Sequence, residues 1–206
     1  MEMSVTLIRC AAAWLLAAAA TAACAEPVEF KIDTVHSQVF FSASHDGYTN
    51  PSGRMHVKAG TFRFDENDWS RSQVDATIDV TSLDMGDEPW NRKLLNAYFD
   101  AANHPTAHFV STGVQKTGER SGVIHGNLTL LEKTRPVDLQ VTFNKVALNG
   151  YSLRYVAGFS ATAAFKRSSF GMDRELKSVG DDVSVRMEIE GVRERSDAPA
   201  TAPAKE

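Results

Sequence analysis

The sequence predicts a mainly β protein, one antiparallel barrel of about eight strands with a single covering helix. Two observations predict it. Asp182 to Gly191 alternates almost without fault, with Val183, Val185, Met187 and Ile189 on one side and Ser184, Arg186, Glu188 and Glu190 on the other. That is a strand with one dry and one wet face. The alternation recurs through Val39/Phe41/Ala43, Val74/Ala76/Ile78/Val80, Ile124/Gly126/Leu128/Leu130, Val137/Leu139/Val141/Phe143 and Phe159/Ala161/Ala163/Phe165, whereas helical spacing is confined to one segment. An antiparallel sheet that must hide one face and its edges tends to close on itself.

Each element follows in order. Val28 to Ile32 is a short opening strand, and after a side-chain-stabilised turn at Asp33-Thr34 a second strand covers His36 to Ser44. Turn formers fill Asp46 to Gly53. The next strand begins at Arg54 with Met55, Val57 and Ala59 on one parity and, after Gly60, changes parity to Phe62 and Phe64, the mark of a β-bulge. Glu66 to Ser70 turns into a strand over Gln73 to Val80, and Thr81 to Glu88 is a second turn region. Pro89 suits a first helical turn, and Trp90, Leu94 and Ala97/Tyr98 then share one helical face until Asn103-His104-Pro105 ends it. Ala107 to Thr112, Gly122 to Leu130, Thr134 to Val146 and Val156 to Ser168 supply further strands, and a charged loop after Phe170-Gly171-Met172 leads to the last one.

Residues 1–25 read as a cleaved export signal. Arg9 precedes an apolar run from Ala11 to Ala23, and Ala23-Cys24-Ala25 offers small residues for cleavage before Glu26. The run is shorter and richer in alanine than a bilayer span of about 20 apolar residues, so no stable membrane anchor is expected and the predicted location is the periplasm. Lipoprotein anchoring at Cys24 is the competing reading, although Thr21 stands where a large aliphatic residue would be expected. Residues 26–192 form the predicted domain, and 193–206, made of alanine, proline and charge, a disordered tail. Cys10 and Cys24 both fall within the leader, which excludes thiol catalysis and cysteine metal sites in the remainder. A net charge of −4 with interspersed signs suggests neither a nucleic-acid partner nor an anionic membrane surface.

No motif demands an enzyme, a catalytic cofactor or a metal. The histidines have no metal-ligand spacing, and His56 and His125 fall on the polar parity of their strands. Asp33, His36 and Ser37 lack the nucleophile turn and oxyanion site that a hydrolytic triad needs. His45 shares the inward parity of Phe41 and Ala43, either as a hydrogen-bonded histidine at the core's edge or as a contact to a ligand's polar head. Arg167 ends its strand on the parity of Phe165; it pairs with Asp173 or Asp181, or it meets an anionic head group at the barrel mouth. The inward parity supplies Phe41, Phe62, Phe109, Phe143 and Phe159 together with Ile78 and Leu128, and the small residues Ala43, Ala161 and Ala163. Large and small side chains can interdigitate in a filled barrel. Alternatively the small positions leave a dry tunnel, with Trp90 and Leu94 of the helix over it, and such a tunnel suits a long hydrocarbon.

Several segments together resemble the YceI-like family: IDTVHSQVFFSASHDG at Ile32 to Gly47, SLDMG at Ser82 to Gly86, YFDAANHPTAHFVST at Tyr98 to Thr112, GNLTLLEKTRPVDL at Gly126 to Leu139 and GFSATAAFKRSSFGM at Gly158 to Met172. The resemblance implies an exported, lipocalin-like barrel with a hydrophobic channel that binds an isoprenoid lipid, of quinone or polyprenol type, and it brings no catalytic residue set. Two segments depart from the family pattern: the turn-rich YTNPSG at Tyr48 to Gly53, and Leu131-Glu132-Lys133 in place of a glycine-containing turn. The function expected is therefore a periplasmic lipid binder or carrier. The alternatives are an enzyme acting on a small hydrophobic substrate through His45 or His36, and a stress-related interaction protein with a filled barrel. A homodimer is compatible with each.

Overall fold

The computed structural model describes residues 26–194. Nine strands and one helix follow in the order β1 (Val28–Ile32), β2 (Gln38–His45), β3 (Ser52–Phe64), β4 (Gln73–Asp84), α1 (Glu88–Ala97), β5 (Thr106–Lys116), β6 (Ser121–Leu130), β7 (Lys133–Leu148), β8 (Tyr155–Lys166) and β9 (Val179–Arg193). The last strand thus includes Arg193, the first residue of the segment read as a tail. The predicted leader and the rest of that tail lie outside the described residues.

Antiparallel neighbours run from β2 through β9, β8, β7, β6, β5 and β4 to β3, and β3 pairs back with β2, closing an eight-strand barrel. The ninth strand, β1, shares β2's position in the wall. It pairs with the end of β3 (Phe30 opposite Phe62) and the end of β9 (Phe30 opposite Arg193), while β2 pairs with the start of each. The break between them is built from side chains. Asp33 Oδ1 accepts the amides of Val35 and His36 at 2.9 and 3.2 Å, and the fully buried Ser37 hydroxyl donates to the Glu190 carbonyl and accepts the Glu190 amide at 3.2 and 3.1 Å. Ser37 therefore stands in for a missing ladder partner. Its hydroxyl is bonded to backbone and not to His36, so the three residues do not form a triad.

The parity change in β3 is a bulge, two residues earlier than the glycine that signalled it. Val57 faces Ile78 and Ala59 faces Thr77, so Lys58 is the extra residue. Ala59, expected on the dry face, is exposed for that reason. Gly60 serves a close approach instead, since a Cβ there would stand 2.6 Å from the Asp75 carbonyl oxygen and 2.7 Å from Ile32 Cδ1. The β6–β7 connection is a two-residue turn in which Leu131 and Glu132 both have positive φ, 49° and 60°. This is the type I′ geometry that usually selects Asn-Gly.

Helix α1 starts where Asp87 caps it, its carboxylate accepting the Trp90 amide at 2.9 Å, and Pro89 stands in the first turn. It lies over one barrel end, with Leu94 and Leu95 packed on a core cluster that includes Met55, Val80, Tyr98, Phe109 and Phe170. At the other end Phe62, Phe64, Trp69, Phe143 and Phe159 stack edge to face or tilted, with centroids 5.0 to 6.5 Å apart, and form a floor.

Candidate functional site

Between helix and floor the barrel holds a cavity of about 310 Å³, at the lower bound of the roughly 300–1,000 Å³ typical of small-ligand sites. Rings of opposite strands meet at the floor, Phe64 with Phe143 at 5.0 Å, but above it this space speaks against the filled-barrel reading. β2 contributes Phe41 and Ala43, β3 Phe62, β4 Ile78, β5 Phe109, β6 Leu128 and β8 Phe159, Ala161 and Ala163, with Trp90 and Leu94 of α1 overhead. All were read from the inward parity or from the helix face.

Glycines keep the lumen open. A Cβ at Gly126 would come within 2.2 Å of the Phe109 ring, one at Gly53 within 2.6 Å of Phe41, one at Gly122 within 2.7 Å of Trp69 and one at Gly191 within 2.3 Å of Phe62. Each ring is seated against bare backbone of the wall, a depth of packing that any side chain would deny it. Met55, Met85, Met172 and Met187 also line the space, together with Val183 and Val185. Unbranched thioether chains adapt their shape to what they contact. The β9 members of this set were legible in the alternation of that strand; Met85 and Met172 lie in turns, where no pattern marks them.

Three expectations need correction. Phe143 does not line the cavity: it stacks behind Phe64 and Phe159 at 5.0 and 5.4 Å, in the floor. The β7 register slips by one residue against β8 just after it, between Phe143 and Lys145. His45 is not a core-edge histidine. The register between β2 and β9 shifts between Ala43 and His45, and the ring stands at the mouth, 55% exposed, 3.7 Å from the Asp46 carboxylate and 6.3 Å from the centre of Trp90.

Arg167 is the third. It is buried, and it pairs with no carboxylate. Its guanidinium donates to the carbonyls of Met172, Arg174, Val179 and Gly180, with Nε to Gly180 at 2.9 Å and Nη2 to Val179 and Arg174 at 2.7 and 2.9 Å. The planar fork of donors thereby folds the 171–178 loop around itself. β8 stops at Lys166 because Arg167–Phe170 forms a 3-10 turn, closed by Gly171 at φ 88°. Asp181, one of the carboxylates expected for Arg167, instead accepts the amide and hydroxyl of Ser168, each at 2.9 Å. The Ser168 amide in particular holds the Asp181 carboxyl below its ordinary range.

The loop is latched to the lid. Tyr98, just after α1, donates its hydroxyl to Glu175, and Lys93 of α1 lies 3.5 Å from the same carboxylate. Burial, followed by that carboxylate, pushes the Tyr98 phenol up to about 12. Polar residues stand at the two ends, His45, Ser44 and the Arg167 carbonyl clamp under the helix and Arg63, Ser72 and Gln73 by the floor, while the length of the lumen between them is hydrocarbon. Among the described residues no cluster of three or more His, Cys, Asp or Glu could hold a metal, and no helix is long and apolar enough to cross a membrane.

A family model for the YceI-like domain matches residues 30–191, from within β1 to near the end of β9. The chain belongs to the YceI-like family. A UPF0312 protein of Pectobacterium atrosepticum is 33% identical over 191 residues, covering 92% of this chain and 98% of that one. One of Serratia proteamaculans is 34% identical over 168 residues, 80% of this chain and 86% of that one. Among solved structures, BcnA of Burkholderia cenocepacia superposes with a TM-score of 0.66 at 24% identity, covering 77% of this chain and 98% of that one. A polyisoprenoid binding domain from Saccharophagus degradans, implicated in plant cell wall breakdown, gives 0.63 at 14% identity, covering 82% of this chain and all of that one. At such identities the likeness to these two structures is one of barrel architecture.

Proposed function

We propose that this protein is a periplasmic carrier that encloses the tail of an isoprenoid lipid, a quinone or a polyprenol, with the tail toward the aromatic floor and the head at the mouth beside His45 and Trp90. The observation that carries the reading is the apolar cavity running from α1 to the floor. Each methylene transferred into it contributes about 0.8 kcal/mol before ordering costs, so several isoprene units would hold a lipid without a charged clamp. The cavity wall combines rings at Phe41, Phe62, Phe109 and Phe159 with small side chains at Ala43, Ala161 and Ala163, an uneven surface suited to a chain bearing methyl branches. The polyisoprenoid binding domain of Saccharophagus degradans lends support as a protein of the same architecture. Export is supported by the Arg9 and Ala11–Ala23 pattern.

Solvent extraction of the purified protein and mass spectrometry test the proposal. An isoprenoid should be recovered in stoichiometric amount, or taken up when empty protein is offered a short-chain quinone. Protein that is always recovered empty and takes up neither a quinone nor a polyprenol would overturn it.

A further inference from the structure

The β7–β8 hairpin projects from the barrel end remote from α1. β7 starts at Lys133, opposite Leu130 of β6, at the end where β4 hands over to α1 and β5, so its far tip around residues 149–154 belongs to the floor end. Among the described residues four of the eight exposed large hydrophobics lie on this one hairpin, Leu148 at 54%, Tyr151 at 99%, Leu153 at 69% and Tyr155 at 48%, while Val35, Tyr48, Val110 and Leu176 lie on other elements. Singly scattered apolar residues need no explanation on a soluble protein, but a cluster marks a contact surface.

The tip is built and not slack. Asn149 Oδ1 accepts the amides of Tyr151 and Ser152 at 2.9 and 3.0 Å, and the Asn149 amide and carbonyl bond Arg154 and Leu153, each at 2.8 Å. Leu153 is held at φ 53°, a left-handed conformation unfavourable for leucine, and points its side chain into water.

The charge is one-sided. No carboxylate occurs between Asp138 and Asp173, in a chain whose net charge is −4. Lys145 and Arg154 flank the tip, and Arg193 of β9 lies 6.0 Å from the Tyr155 ring centre. None of the three forms an ion pair among the described residues, and Arg154 donates only to the Arg193 carbonyl, at 3.1 Å. Neighbouring turns at this end carry Glu66, Asp68 and Glu119, and Glu194 follows Arg193, so the cationic, apolar contact is the hairpin itself, with Lys145 and Arg154, and not the whole end face.

We infer that the Leu148–Tyr155 hairpin is a docking finger for a lipid bilayer bearing anionic head groups. Tyr151 and Leu153 enter the interfacial layer, and Lys145, Arg154 and Arg193 meet the phosphates. Tyrosine is at home at the head-group level, and each basic side chain near an anionic surface adds to the affinity. A narrow finger with few apolar side chains and surrounding cations fits that layer better than the broad flat interface that another protein needs. Docked this way, the protein turns its helix-covered mouth away from the bilayer. The inference does not depend on what fills the cavity.

The test uses the chain from Glu26 onward, which holds every described strand and the described core and has no cysteine. Sedimentation with vesicles of phosphatidylcholine plus phosphatidylglycerol should carry the protein down, and vesicles of phosphatidylcholine alone should carry far less. Lys145→Glu with Arg154→Glu should weaken binding to the mixed vesicles about tenfold or more. Tyr151→Ser with Leu153→Ser should weaken it similarly, and both pairs should keep the parent's circular dichroism melt and its uptake of a quinone dispersed in detergent. A nitrobenzoxadiazole dye on Tyr151→Cys should shift to the blue with mixed vesicles, whereas the same dye on Thr49→Cys at the mouth should not. Parent protein that ignores the mixed vesicles, or variants that bind like the parent, would overturn the inference. So would a concentration-dependent dimer that both pairs abolish while vesicle affinity stays the same.

Discussion

Gly126→Ala should close the cavity while leaving the barrel folded. The new Cβ would lie 2.2 Å from Phe109 Cζ and 2.6 Å from Cε2, where carbon atoms are in favourable contact only at about 3.5–4.0 Å. The ring must therefore retreat by more than about 1 Å. The wall is behind it and the lumen in front, so it swings across the axis. The Val110 carbonyl oxygen, at 2.7 Å, cannot swing and forces a small shift of the wall as well. Overpacking of this kind costs about 1–3 kcal/mol, and at about 2–4 °C per kcal/mol for a domain of this size the melting temperature should fall by several degrees. Two assays separate the effects: thermal melting by circular dichroism, and titration with a fluorescent isoprenoid probe, for which capacity should fall at least tenfold. Adding Phe109→Ala should restore uptake, and Gly126→Ala should cost less stability in that background than in the parent, because only the Val110 carbonyl then still opposes the new Cβ. A Gly126→Ala protein with unchanged melting and full probe capacity would show that the ring seat does not keep the lumen open.

Further outcomes follow from other contacts. Ala161→Trp, on the inner face of β8, should abolish probe uptake in a protein that still gives a cooperative melt; unchanged uptake would place the ligand elsewhere. Arg167→Lys should lose about 3 kcal/mol or more in urea unfolding, because one ammonium cannot serve four diverging carbonyls, and backbone amides of the 171–178 loop should exchange faster with deuterium. Glu132→Gly should stabilise the protein by about 0.5–1 kcal/mol in the same assay, relief of the left-handed backbone outweighing the entropy that glycine adds to the unfolded chain. His36 donates to Asp33 at 2.8 Å, and that bond raises its pKa above the ordinary 6.5. The folded state therefore favours the imidazolium, and its contribution to stability is complete below pH 6.5 and disappears as pH rises through the raised value. An NMR titration should place the His36 midpoint above 6.5, and Asp33→Asn should bring it back.

Much of the site was legible in residues alone because a strand announces its two faces locally. A period of two, read over six or eight residues, separates Phe41, Phe109 and Ala161 from their wet neighbours without knowledge of any partner strand. The start of α1 is equally local, since Asp87 and Pro89 act within their own first turn. Failure began wherever the pairing register slipped. A two-residue shift near His45 left its ring at the mouth, and the extra residue at Lys58 exposed Ala59. Parity counts residues along one strand, and such slips exist only between two.

From the order of its amino acids the chain determined a closed antiparallel sheet, the oily face of each strand and the helix laid over one end, because these depend on interactions within a few residues. Only the tertiary structure decided that the interior stays hollow. That outcome rests on rings seated against glycines far away in the sequence, Phe62 on Gly191 and Phe109 on Gly126, and on which strands stand side by side. The same holds for Arg167: four carbonyls of a patternless loop satisfy it, and a backbone carbonyl is present at every residue, so nothing in the sequence marks the ones it will find.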